Sequence, residues 1–316
     1  MLVYRTNLID KRQLIYYYFY TFTRRKIIMT AHLSYEFFGI EKIAKRIVSL
    51  VPSFSESLDY LGLQSFLVGV TDKCEVEQLP QRSIVGSFAC ANLEKIIACK
   101  PDLVLMFTGL NKELREQIID KTEAMVIVSR PSSYDNVVQL LQKIVSLCDC
   151  KDAQQKLDNL LSQSQKIQNT VKNLSKKRVF RLMHTENLKT CTPYSFQYDM
   201  IERAGGQPFP IKNHIDAYQN VLPEEFKDFD PQFIVSCGAH CPQELRVPHP
   251  DCQSKERPCQ RTLQHILDNQ EWQNISAIKE QNIYFPSCLY ICHPGVYMIL
   301  GIEKMARALH PQAFKY

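Results

Sequence analysis

The sequence is poor in glycine and nearly devoid of tryptophan, with 10 and 1 in 316 residues. Together with 16 prolines this excludes a collagen-like or low-complexity chain. It also lacks any run approaching the roughly 20 apolar residues of a membrane span. Charge of one sign is scarce: the net charge is +5, too little to mark a nucleic-acid partner. Catalytic signatures are missing as well. There is no G-x-S-x-G elbow, no phosphate-binding P-loop and no H-E-x-x-H. His265 falls inside a helix, and Asp199 and Glu202 sit at the spacing of one solvated helical face. Cys241 with His240 or His293 is the one conceivable nucleophile and base, without a supporting signature. An enzyme is therefore not expected. What the chain does have is 45% hydrophobic residues, enough for a large core, and 12 cysteines.

The N-terminal stretch carries LIYYYFY at 14–20 between basic residues. It is shorter and richer in tyrosine than a secretory leader. Residues 1–45 read as an N-terminal extension, with Met29 as a second candidate start; a degenerate export signal or a membrane-surface anchor is the alternative. The first cysteine is Cys74, so a lipid-attachment cysteine is not found near the start. These features point to a cytoplasmic protein, with a periplasmic location as the alternative.

From Arg46 the pattern alternates between short apolar runs and helical periodicity. Strands are expected at 46–51, 66–71, 84–86, 103–107 and 124–129. Helices are expected at 56–61, capped by Ser53 or Ser55 after a stop at Pro52, and at 92–98, 111–121 and 133–147. Residues 151–177 contain neither glycine nor proline, and Leu157, Leu160, Leu161, Ile167, Val171 and Leu174 recur at helical spacing. This predicts one amphipathic helix of about 25 residues, roughly 38 Å long. Strands at 179–183, 233–236 and 283–285 and helices at 195–204, 260–270 and 295–309 follow. The expected fold is α/β: a lobe at 46–150, the long helix at 151–177, and a second lobe at 178–316 with a cysteine-rich loop at 237–259, both sheets being largely parallel.

In such sheets ligands bind beyond the carboxyl ends of the strands. Cys74, Cys90, His184 and Cys191 follow predicted strands, and so do Cys237, Cys241, Cys288 and Cys292. Six cysteines at 237–292 are spaced C-x3-C-x10-C-x6-C-x28-C-x3-C. Thiolates suit zinc or an iron–sulfur cluster, so Cys237, Cys241, Cys252, Cys259, Cys288 and Cys292 are the candidate metal ligands. The spacing matches no strong motif, and disulfides such as Cys252–Cys259 or inert thiols remain open. Cys99, Cys148 and Cys150 lie near helix ends and read as core or surface thiols.

Several phrases carry a resemblance: RIVSLVPSFSESLDYLGL (46–63), FLVGVTDKC (66–74), ANLEKIIACKPDLVLMF (91–107), VFRLMH (179–184), MIERAGGQPF (200–209), EEFKDFDPQFIVSCG (224–238), IKEQNIYF (278–285) and PGVYMILGIEKMARALHP (294–311). In this order they resemble the class III substrate-binding proteins of ABC transporters, the helical-backbone metal receptor superfamily. The resemblance implies two lobes stiffened by one helix, with a cleft between them for a corrinoid or iron chelate. It also implies an ABC permease as candidate partner, docked by Glu94 and Glu224, and a monomer is the expected state. Phe88 matches an aromatic cleft position, whereas Lys73 stands where cobalamin binders carry an aromatic. Cys74 matches relatives without an export signal, which raises a second reading: an intracellular protein using the cleft thiols for a metal or cluster, in trafficking or sensing.

Overall fold

The computed structural model describes residues 35–74, 82–109, 112–183, 188–211, 216–236 and 266–314. In the first lobe the elements run β1 (Tyr35–Phe38), β2 (Ile47–Ser49), α1 (Pro52–Tyr60), β3 (Leu67–Val70), β4 (Ser83–Ile84), α2 (Leu93–Ala98), β5 (Leu103–Phe107), α3 (Lys112–Lys121), β6 (Met125–Ser129) and α4 (Tyr134–Cys148). The sheet order is β1-β6-β5-β2-β3-β4, parallel except for β1. Residues 35–38 were assigned to the extension by sequence. They form an antiparallel edge strand on β6, a pairing that periodicity in a four-residue segment cannot announce.

After α5 (Lys151–Val171) come β7 (Lys177–Arg181), β8 (Lys189–Cys191), α6 (Phe196–Arg203), β9 (Gly206–Pro208), β10 (Tyr218–Asn220), α7 (Pro223–Phe229) and β11 (Phe233–Val235). The chain closes with α8 (Ser276–Lys279), β12 (Ile283–Tyr284), α9 (Cys288–Cys292) and α10 (Val296–Leu309). Four strands form a parallel sheet in the order β12-β11-β7-β9, and β8 and β10 make a separate antiparallel ribbon.

Two local expectations shift. Pro52 opens α1 instead of stopping before it. Proline at a first helical position loses nothing by lacking an N–H there, and its φ is already helical. Ser55 and Ser57 thus lie inside the helix, where their hydroxyls donate to the carbonyls of Val51 and Ser53. The long helix is 21 residues, about 32 Å, because the chain leaves it after Val171 to enter β7 two residues earlier than expected.

The strands are buried on both faces, which is why they read as unbroken apolar runs. Leu103, Leu105, Met125 and Ile127 face one side, with α1, α4, α5 and α10. Val104, Met106, Val126 and Val128 face the other, with α2 and α3. In the second lobe Val179, Phe233 and Val235 join the first of these cores, so one apolar layer runs through both lobes. Phe180 and Ile234 face a separate core with Phe209, Phe226 and Trp272.

Polar contacts lock the same junction at two places. On one side Arg203 Nε donates to Asp199 (2.9 Å), Nη1 to Gln168 (3.0 Å) and Nη2 to Asp135 (2.9 Å), and the guanidinium stacks on Tyr134. Asp199 in turn accepts from the Tyr134 amide at 2.6 Å. One arginine thus ties α6 to α4 and α5. On the other side His293 Nδ1 lies 2.8 and 3.0 Å from the two carboxylate oxygens of Glu56, both residues buried. The Val296 amide donates to Ser57 Oγ. Gly295 is required there: a Cβ would stand 2.7 Å from the Ser53 carbonyl oxygen.

Removing one member of a buried polar pair strands the other. Glu56→Ala is expected to cost about 3 kcal/mol by urea unfolding. Glu94→Ala, on an exposed first turn, is expected to cost less than about 0.5 kcal/mol.

Candidate functional site

The two polar locks define where a ligand could enter. α1 starts just past the carboxyl end of β2, and α4 just past that of β6. Their partners α10 and α6 follow second-lobe strands β12 and β8. The helices that follow the carboxyl ends of β2 and β6 therefore meet second-lobe elements at the two locks, beside the carboxyl end of the first-lobe sheet. This is the edge at which open parallel sheets bind ligands.

On the first lobe this edge presents Phe107 at the end of β5 and Phe88 beyond β4, their ring centroids 5.9 Å apart. The guanidinium of Arg130, exposed just past β6, lies 5.5 Å from the Phe107 centroid. Phe88 is carried on the Gly86–Ala91 bridge, where Gly86 has φ 133° and a Cβ would collide with the Ala91 backbone at 2.8 Å. Only glycine makes that turn, so the aromatic position depends on it.

On the second lobe Arg181 ends β7 and is buried, 1% exposed. Its Nη1 donates to the Leu182 carbonyl at 2.7 Å, and Nη2 lies 3.9 Å from the Cys292 sulfur. Gln197 Nε2 donates to the Ile291 carbonyl at 2.7 Å. Gln197 Oε1 and Ser236 Oγ, the latter just beyond β11, are buried without a hydrogen-bond partner among the described residues. A guanidinium and two acceptors at one strand edge, in a low-dielectric setting, favour an anionic or hydrogen-bonding ligand.

The described cysteines do not gather into a metal centre. Cys74 is buried under α1, its sulfur within hydrogen-bond distance of the hydroxyls of Ser55 (3.1 Å) and Thr71 (3.2 Å). Burial pushes its thiol up, against those hydrogen bonds. Cys191 ends β8 opposite Tyr218, and burial pushes it up to about 12 although Arg181 opposes. Cys288 and Cys292 are buried one turn apart on α9, and Cys90 is exposed. His184, Cys237, Cys241, Cys252 and Cys259 lie outside the described residues, as does His240. Among the described residues no group of three or more His, Cys, Asp or Glu could hold a metal ion. The zinc or iron–sulfur expectation thus finds no support in Cys288 and Cys292. Glu94 and Glu224 are exposed in the first turns of α2 and α7.

Phe107, Arg130, Arg181, Gln197 and Ser236 were not singled out in the sequence. A charged Arg181 inside the apolar run VFRLM was a readable signal; the others look like ordinary strand-end residues.

The chain belongs to the periplasmic binding protein family, which it matches over residues 47–286. Members of this family are substrate-binding proteins of transporters, not enzymes. It is similar to the ABC transporter substrate-binding lipoprotein YvrC of Bacillus subtilis, with 24% identity over 87% of this chain and 83% of that one. It is also similar to the vitamin B12-binding protein of Yersinia pestis, with 26% identity over 62% of this chain and 70% of that one. The fold matches the periplasmic heme-binding protein RhuT of Roseiflexus, with a TM-score of 0.66, 17% identity, and coverage of 85% of this chain and 99% of that one. These findings overturn the cytoplasmic expectation: the family is periplasmic and the Bacillus relative a lipoprotein. That expectation rested on the N-terminal stretch, which lies outside the family match at 47–286. No helix among the described residues is long and apolar enough to cross a membrane.

Thiolate is the reactive form, and a thiol near 12 leaves on the order of one thiolate in ten thousand at pH 8. Native protein treated with a maleimide and mapped by mass spectrometry is expected to carry label on Cys90 early, and on Cys74 and Cys191 only after unfolding.

Proposed function

We propose that this chain captures a metal-containing cofactor or chelate, a corrinoid or an iron chelate, between its lobes and delivers it to an ABC permease. What supports this reading is the unlike chemistry at the carboxyl ends of the two parallel sheets. One offers the apolar faces of Phe88 and Phe107 beside Arg130. The other offers Arg181, Gln197 and Ser236. A broad ligand with an apolar plane and an acidic or carbonyl-rich rim satisfies both. The vitamin B12-binding and heme-binding relatives support this class of cargo. Lys73, where an aromatic would meet a corrin ring, favours the iron chelate over cobalamin.

Titration of purified protein with cobalamin, cobinamide, heme and ferric siderophores, followed by absorbance and intrinsic fluorescence, tests this. Saturable one-to-one binding of at least one is expected; no binding of any overturns the proposal.

Glu94 and Glu224 are the docking residues of this reading. Each projects from a helix first turn, one per lobe, where a permease arginine can reach it without displacing a fold contact. Charge reversal at both, Glu94→Arg with Glu224→Arg, is expected to leave ligand affinity within about twofold while abolishing transport in a reconstituted system. Equal loss of binding and transport would assign them a structural role.

A further inference from the structure

The junction between α4 and α5 is a single residue flanked by two thiols, Cys148-Asp149-Cys150. Asp149 is left-handed, φ 46° and ψ 54°. We propose that Cys148 and Cys150 are a redox site, closing to a disulfide across this left-handed residue and so pinning the first lobe to the long helix.

The backbone already meets the distance requirement. A central residue in helical dihedrals of either hand brings its neighbours' Cα atoms to about 5.4 Å, from a 2.3 Å radius and a 1.5 Å rise. Disulfides span Cα separations of about 4.4–6.8 Å. An extended central residue would open the gap to about 6.6–7.2 Å. Cys148 lies in the large apolar core and Cys150 packs against the same core, so neither side chain points straight into solvent. Their proximity shows electrostatically. Cys148 is pushed up to about 12, mainly by burial; Lys45 opposes this, and a charge on Cys150 adds to it. Cys288 and Cys292 do not share this geometry. One helical turn separates their Cβ atoms by about 5–6 Å, beyond the about 3.5–4.5 Å that a disulfide allows.

Access sets the order of events. Cys150 is half-exposed at the N-cap of α5, and Cys148 is fully buried at the end of α4. An external disulfide, small-molecule or protein-borne, is the oxidant. Cys150 attacks it, forming a mixed disulfide and releasing one thiol. Cys148 then displaces the second thiol and closes the ring. Two protein thiols and one external disulfide yield one protein disulfide and two external thiols, with the two hydrogens transferred and no other reductant or oxidant consumed. The periplasmic character of the family supplies a setting in which such exchange runs toward oxidation.

Tryptic cleavage after Lys143 and Lys151 isolates both thiols in one peptide, 144–151. The full chain is incubated folded with glutathione disulfide, then denatured, alkylated and digested. The expected peptide is two hydrogens lighter than its reduced form and carries no alkyl group until a phosphine reductant is added, after which it takes two. In Cys148→Ser the second step is blocked, and Cys150 should accumulate as its glutathione adduct. Two alkyl groups without reductant overturn the proposal. So does a stable glutathione adduct in the wild-type chain, or protection from alkylation without loss of the two hydrogens.

Discussion

The buried contact of Glu56 with His293 is the constraint on which the arrangement of the lobes depends. The two residues are 237 apart in sequence, yet they meet at 2.8 Å with little access to water. A carboxylate and an imidazole tolerate such burial only when each satisfies the other. The contact demands close approach of α1 and α10, which Gly295 permits. Arg203 does the same at the opposite lock, joining three helices through one guanidinium. Between the locks runs an apolar layer common to both lobes. A molecule built in this way opens by small adjustments at a stiff seam, since separating the lobes outright would expose that layer to water.

The proposed ligand chemistry rests on what the two edges carry. The first lobe ends its strands in two tilted phenyl rings with an arginine at their margin, and the second carries a buried guanidinium near a glutamine carbonyl and a serine hydroxyl. Neither edge offers a cluster of ligating side chains among the described residues. The division suits a cargo that brings its own metal cage and asks the protein for shape and charge. The thiols that fill the strand ends are packed under helices, with Ser55 and Thr71 satisfying one of them.

Short unbroken apolar runs and helical periodicity were sufficient to read the alternation of strands and helices from Arg46 onward, including β5, β6, α4 and α10 to within a residue or two. Those patterns are local: each strand buries both faces and each helix buries one stripe, so the signal lies within the segment itself. The phrases running from 46 to 311 were enough to place the chain in its family. Elements whose stability comes from a distant partner could not be read this way. β1 exists because β6 offers it an edge, and the β8–β10 ribbon because two short polar segments meet. The site divides along the same line. Phe88 and the surface glutamates were proposed from motif position, but the packing of Phe107 against Phe88 and the meeting of Glu56 with His293 were decided only by the tertiary structure. Pattern reports which side of an element is apolar, whereas a site is made where the ends of separate elements converge, and no local periodicity records which ends those are.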